Sequence, residues 1–410
     1  METMSAYLSY VKRTVSKWEH HAELPGSHGR EDGLPPPVLP TKHMLRLLLF
    51  AKRELKSRFI PNISELKIQG DQRVVIVGDT HGQLADFLWI LRSHGPPSSK
   101  NIYVLNGDVA DRGPYASEIL TLVWGYMLAC PGGVYMNRGN HENLDMNVRG
   151  FHEGGGFAAE VGAKYGSAVF TLIQETFNQL PLATRVNEQI LIVHGGLPRQ
   201  DGGRVPLAQL NAIDRHRAVP ASAECSHDAL FFDAMWADPS ETVAGVGPSA
   251  SRGSGCVTFG ADVTHAFCEV NKIRMIVRSH EVPKTLTGVH ICHGGRLVTV
   301  FSASNYCGRI DNTGGTMLLM PSFDYQASRC TRLSYRTANP PHYPSTDPPP
   351  PVPYECNRKS HTARLTNPYS SHATRPCYPL SPFPFSICHR TCVFSTPSLW
   401  STGRPPSPSS

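Results

Sequence analysis

The chain has 410 residues, a net charge of +6 and 18% charged residues, with no compact Lys/Arg run; this balance gives no electrostatic footprint for nucleic acid. No apolar run reaches the ~18 residues of a membrane span, the N-terminal METMSAYLSYVKRTVSKWEHH lacks the unbroken apolar core of a signal peptide, and eleven scattered cysteines make no disulfide framework. A reducing cytoplasmic setting, with the nucleus also open to it, is expected, with neither nucleic acid nor membrane as partner.

Residues 1–40 read as an N-terminal extension and linker ending in LPPPVLP. HMLRLLLFAKRELKS has the spacing of an amphipathic helix. An alternation then recurs. VVIVGD is a strand, LADFLWILRSHG a helix, IYVLNGD a strand, YASEILTLVWGYMLACPG a helix and VYMNRGNHE a strand. This order implies parallel strands joined by right-handed crossovers. In open α/β sheets the site lies beyond the carboxyl ends of such strands. Three runs sit there: GDTHGQ, GDVADRG and RGNHEN. Later apolar runs end the same way: ILIVHGG carries His194, IRMIVRSHE carries His280 and LVTVFSASNYC carries Tyr306. Six such strand ends suggest one sheet system feeding one site. About half of the 35 prolines lie beyond Thr337, so residues 336–410 are read as a disordered Pro/Ser-rich tail. Residues 41–335 remain as the catalytic domain.

The strand-end residues have the chemistry of a metal centre. Asp79 and His81 alternate along the end of their strand, so both face one ion while Thr80 points away. Asp108, on the adjacent strand, is placed to bridge two ions. Asn140 supplies an amide oxygen, and His194 and His280 supply imidazoles. Mixed O/N ligation with a shared carboxylate suits two ions such as Mn, Fe or Zn, about 3.5–4 Å apart. A hydroxide bridging them would be aimed at phosphorus for in-line attack. Arg112 and Arg252 can clamp phosphoryl oxygens in bidentate fashion. His141 is the expected general acid to the leaving alkoxide, oriented by Asp111. His293, in CHGGR, repeats the HGG pattern but is read as structural, because a cleaner strand precedes His194. The tail run of Cys388, His389 and Cys392 has no second pair at zinc-binding spacing and is read as incidental. PPPPVP is open to an SH3 or WW domain.

The three motifs, followed in order by HGGL, RG before TFG, RSHE and FSASNYC, resemble the eukaryotic phosphoprotein phosphatases for serine and threonine. The likeness spans about Phe59 to Tyr325, and RSHEV with HGGR–VTVFSA is most similar to the type 5 and EF-hand-containing branches. It implies an α/β calcineurin-like metallophosphoesterase fold, a central β-sandwich of mixed sheets flanked by helices. It also implies Asp79, His81, Asp108, Asn140, His194 and His280 as metal ligands, with Asp111 and His141 as the acid pair. Arg112, Arg252 and Asn140 would bind the substrate phosphate, and Tyr306 would wall the site. The implied substrates are phosphoproteins. Three departures stand out: Ser304 replaces the usual Pro, a change expected to loosen that turn, and Val109 and Ala110 are smaller than the usual pair. Neither tetratricopeptide helices nor calcium-binding loops are read in the sequence. A dinucleoside polyphosphate hydrolase is the alternative function, and a phosphoprotein-binding scaffold the non-enzymatic one.

Overall fold

RVVIV, NIYVL and VYM are buried along nearly their whole length, which is why they read as continuous apolar runs rather than alternating ones. The computed structural model describes residues 38–59, 61–223, 225–253 and 255–330. The extension before residue 38 and the tail beyond 330, including PPPPVP and the Cys388–Cys392 run, lie outside the described residues.

Two mixed sheets carry the chain. One has the order β1 (Ile63–Leu66), β5 (Ala183–Val186), β6 (Ile190–Val193), β10 (Met275–Arg278), β12 (Leu297–Val300) and β11 (Val289–Cys292). The other runs β14 (Tyr325–Cys330), β13 (Gly314–Leu319), β2 (Arg73–Val77), β3 (Asn101–Leu105) and β4 (Val134–Met136). β2, β3 and β4 are parallel, as the alternating order requires, and β13 joins β2 antiparallel. A small third sheet, with Asp238–Pro239 and Val246–Pro248 flanking Val257–Phe259, lies on the path to Arg252.

The period-2 alternation of the strands divides the core. Ile190, Ile192, Val277, Val298 and Val300 join a cluster with Val75, Val77, Val104 and Leu105 of the facing sheet. Their neighbours Leu191, Val193, Ile276 and Leu297 join a second cluster with Phe231, Phe259 and Phe267. Helices cover the outer faces. In Thr41–Arg58 the buried residues Met44, Leu47, Leu48, Ala51 and Leu55 recur at helical spacing. Ala116–Ala129 is buried almost all round, with Trp124 fully enclosed. Both are the helices that MLRLLLF and TLVWGYMLAC announced.

The six polar strand ends do not come from one sheet. β2, β3 and β4 belong to one, and β6, β10 and β12 to the other, so the site lies where two sheets meet. The backbones touch there, through a parallel bridge between Asp79 and Phe301. A buried polar seam fastens the same edge. Asn106 Nδ2 donates to the Val193 carbonyl and to Ser279 Oγ, both at 2.9 Å. Asn137 Nδ2 donates to Asn106 Oδ1 at 2.9 Å and to the Ile192 carbonyl at 3.0 Å, and Thr184 Oγ1 donates to Asn137 Oδ1 at 2.7 Å.

Asn137→Ala removes the centre of this seam and takes the partner from the buried Asn106 Oδ1 and Thr184 Oγ1, each loss costing about 1–3 kcal/mol. Urea unfolding of the variant should show a loss of at least ~2 kcal/mol. A change below ~0.5 kcal/mol would mean the sheets are joined by apolar packing alone.

Candidate active site

Asp79 follows β2 and is fully buried. Its Oδ1 accepts the His280 N–H at 3.0 Å, while Oδ2 has no hydrogen-bond partner among the described residues. The strand ends at Val77 and His81 has a left-handed backbone, φ 42°. The two side chains therefore do not alternate along a strand. A turn brings them together instead, with the Thr80 and His81 N–H groups on the Asp108 carbonyl and the Gly82 N–H on that of Val109. His81 Nδ1 lies 2.9 Å from the Ala110 carbonyl, and Nε2 lies 3.9 Å from Asp79 Oδ2 and 3.6 Å from Asp108 Oδ2.

Asp108 stands at the centre. Its Oδ1 accepts the His141 N–H at 2.9 Å and lies 3.3 Å from His194 Nε2. A Cβ at position 139 would sit 2.3 Å from that same oxygen, so only glycine lets the third loop pass this close. Asn140 Oδ1 is 2.9 Å from His194 Nε2, and His194 Nδ1 is 2.7 Å from the Asn106 carbonyl. His280 Nε2 is buried without a hydrogen-bond partner, and the Trp236 ring meets the His280 ring edge to face at 5.4 Å.

His141 and Asp111 form the expected pair, Nδ1 to Oδ2 at 2.7 Å. Asn147 Nδ2 donates to Asp111 Oδ2 and to the His141 carbonyl, both at 2.7 Å, and the Phe157 N–H donates to Asp111 Oδ1 at 3.0 Å. The imidazole is thus fixed through Nδ1, which directs Nε2 to the substrate side. Arg112 lies with its Cζ 5.9 Å from the centre of the Tyr306 ring, and Tyr306 packs 5.3 Å from the His81 ring. Arg252 is not a solvated loop arginine. Asp238 accepts from its Nε and Nη2, and the His280 carbonyl accepts from Nη2 at 3.0 Å. His293 sits apart, between Thr264 Oγ1 at 2.7 Å and the Ser240 carbonyl at 3.1 Å.

The electrostatics are those of a site short of positive charge. Burial and then the Asp108 charge push the Asp79 carboxyl up to about 7. Burial and then the His141 charge bring His81 down to about 3, and burial followed by Arg252 holds His280 well below its ordinary range. Burial opposes charge on His194, but the attraction and hydrogen bond of Asp108 outweigh it and raise the group to about 9. Burial opposes charge on His141 too, and there Asp108 and then Asp111 prevail and raise it. Two sets of ligand atoms lie within 4.8 Å of one another, His81–Asp108–His141 and Asp108–His194–His280. Asp108 belongs to both. His141 is held by Asp111 instead, and Asp79 Oδ2 lies 3.9 Å from His81 Nε2. One cation beside Asp79, His81 and Asp108 and another beside Asp108, His194 and His280 would satisfy the orphaned Asp79 Oδ2 and His280 Nε2, so the donor set fits a pair of ions.

Residues 72–284 match the calcineurin-like phosphoesterase family, more than half of the 410 positions. The chain belongs to that family. Serine/threonine-protein phosphatase T of Schizosaccharomyces pombe is 39% identical over 279 residues, 68% of this chain and 55% of the relative. Human serine/threonine-protein phosphatase 5 is 38% identical over 275 residues, 67% of this chain and 51% of that one. The chain therefore spans about half the length of the curated relatives it matches. Among solved structures, a Saccharomyces cerevisiae protein serine/threonine phosphatase described as similar to human PP5 superposes with a TM-score of 0.64 at 33% identity, covering 72% of this chain and 91% of that one. The likeness to the type 5 branch holds, and the fold is the calcineurin-like one. The family implies divalent metal ions, which the Asp108-centred His and Asp groups could bind.

Several residues that hold the site carry little signal in the sequence. Glu142, the acid of GNHEN, takes no ligand position. Its buried carboxylate accepts the Asp108 N–H at 2.7 Å and the Val109, Ala110 and Gly139 N–H groups at 2.9–3.2 Å. A buried acid two positions after a ligand is a readable signal, but three of its four partners lie some thirty positions upstream. Asn147 and Asp238 carried no signal. Val109 and Ala110, the smaller pair, are fully buried in the core cluster. Ser304 does not loosen its turn. Its N–H and hydroxyl donate to the two oxygens of Asp86 at 2.7 and 2.9 Å, an N–H bond that proline could not make.

Glu142→Gln puts an amide N–H₂ against backbone donors in a dry pocket, where each bond to the charged group is worth about 1.5–3 kcal/mol. Thermal unfolding of metal-free protein should show the variant destabilised by at least ~2 kcal/mol. A loss under ~0.5 kcal/mol would mean that the Asp108 loop holds itself.

Proposed function

We propose that this chain is a metal-dependent phosphoprotein phosphatase that hydrolyses phosphoserine and phosphothreonine. The observation that carries the reading is the His141–Asp111 pair at 2.7 Å, one residue from Asn140 and beside the shared Asp108. The two relatives named serine/threonine-protein phosphatase support the substrate class. Proposed partners are cytoplasmic phosphoproteins, with PPPPVP available to an SH3 or WW domain.

Asp79, His81, Asp108, Asn140, His194 and His280 are the proposed ligands of two ions drawn from Mn, Fe and Zn. When bound, such a pair supplies Lewis-acid charge against the phosphoryl group and activates the water that attacks it. Arg112 and Arg252 hold the phosphoryl oxygens, the second preset by Asp238. Asn140 adds an amide donor toward the phosphate, and Tyr306 closes one side and excludes water. His141 Nε2 gives its proton to the serine or threonine alkoxide as the P–O bond breaks. Asp111 keeps that imidazole oriented and stabilises its protonated form.

The magnitudes require this division of labour. Monoester hydrolysis is accelerated by up to about 10²¹, and acid–base catalysis alone gives ~10²–10⁴. Most of the remainder falls to fixed positive charge and positioning.

Purified full-length chain with manganese should hydrolyse a phosphoserine peptide, and chelation should abolish the turnover. His141→Asn should lower kcat by ~10²–10⁴, and Asp108→Asn should remove most activity. Hydrolysis of dinucleoside tetraphosphate with none of the peptide would move the function to the small-molecule branch. No turnover of either, with tight phosphopeptide binding, would make the chain a scaffold.

A further inference from the structure

The two proposed phosphate clamps are aimed by different means. Asp238 grips Arg252, whereas the Arg112 guanidinium has a buried Nε without a hydrogen-bond partner. Its backbone is anchored, since the Arg112 N–H donates to the Gly155 carbonyl at 3.2 Å. The Tyr306 ring lies 5.9 Å from Cζ to ring centre, and the Cys307 side chain is hydrogen-bonded to the arginine. Gly154 also lies against the guanidinium. A Cβ built there would stand 2.7 Å from Nη2, 2.8 Å from Cζ and 3.0 Å from Nη1. It would press on three guanidinium atoms at once.

We propose that Gly154 is a positioning residue for Arg112. Its bare backbone, with the Tyr306 ring and the Cys307 side chain, bounds the space that aims the guanidinium at the substrate phosphate. This deepens the phosphatase reading and rests on the phosphate-clamping role given to Arg112. The backbone there is held, because the Gly154 N–H donates to the Phe151 carbonyl and the Gly155 N–H to the Gly150 carbonyl, both at 3.1 Å. The wall at 154 therefore cannot retreat, while the group facing it is the far end of a flexible side chain. A methyl group at 154 displaces the arginine rather than the fold. The steric consequence falls on phosphate affinity, apart from any cost in stability that the backbone at 154 adds.

Position 154 is also left-handed, φ +88°, so an alanine there carries backbone strain. Gly132 separates the two effects: its φ is +87° and nothing lies within 4 Å of its Cβ position. The test is the affinity of the full-length, manganese-loaded protein for inorganic phosphate, by calorimetry, which needs no turnover. Gly154→Ala should weaken phosphate by roughly tenfold or more, the scale of a charged hydrogen bond, and Gly132→Ala should leave affinity unchanged. Gly154→Asn, which tolerates left-handed backbone, should repeat the loss if the alanine variant folds poorly. Arg112→Ala should weaken phosphate as well, and the Arg112→Ala/Gly154→Ala pair should bind no worse than Arg112→Ala alone. Full affinity in both position-154 variants, or a loss that adds to that of Arg112→Ala, overturns the Gly154 assignment while leaving Arg112 in place. A wild-type affinity indifferent to Arg112→Ala overturns the clamp itself.

Discussion

The structure is organised around one buried carboxylate. Asp108 has almost no exposed surface and both ligand sets share it. Burying an ionised carboxylate costs several kcal/mol unless opposite charge and hydrogen bonds compensate. Here burial works against ionisation, and the charges of His194 and His141 pull the group back below its ordinary range. Its backbone is held in turn by Glu142, a second buried acid that faces only N–H donors. The arrangement is stable only as a whole, since removing any one compensating group leaves another charge or dipole unpaired.

Two further costs are concentrated in the same place. His81, Asp108, Asp111, Arg112 and His280 all have φ between +42° and +71°, conformations that L-residues seldom adopt. Such strain persists where the surroundings over-determine it, and it preorganises the groups it burdens. The seam of Asn106, Asn137, Thr184 and Ser279 puts polar side chains between sheets that apolar residues could fill. It ties the loop carrying Asp108 to the strand carrying His194, so that two sheets present one rigid constellation. Arg112 differs in lying beside Tyr306, Cys307 and Gly154 rather than in the grip of a carboxylate.

The chemistry was legible because it is local. Each ligand follows an apolar run by one to five positions, and an apolar run followed by Gly-Asp or Gly-Asn marks a strand end wherever the strand pairs. The side chains of Asp79, His81, Asp108, Asn140, His141, His194 and His280 lie together. What was not legible is set by long-range pairing. β2 pairs with β13, more than two hundred residues later, and that choice decides which strand ends share a sheet. His81 reaches its place through a turn whose donors bond to Asp108 and Val109, so a strand-periodicity argument reaches the right face for the wrong reason. Ser304 reads as a weakened proline until Asp86 appears beside it. Asp238, buried beside Arg278 and Arg252, looks in the sequence like any acid before a proline.

The sharing of Asp108 between two ions is the claim on which this mechanism stands. A crystal of the full-length chain grown with manganese, with anomalous scattering recorded across the manganese edge, tests it directly. Two peaks about 3.5–4 Å apart, both in contact with the Asp108 carboxylate, are expected. A single ion, or two ions of which only one touches Asp108, would contradict it.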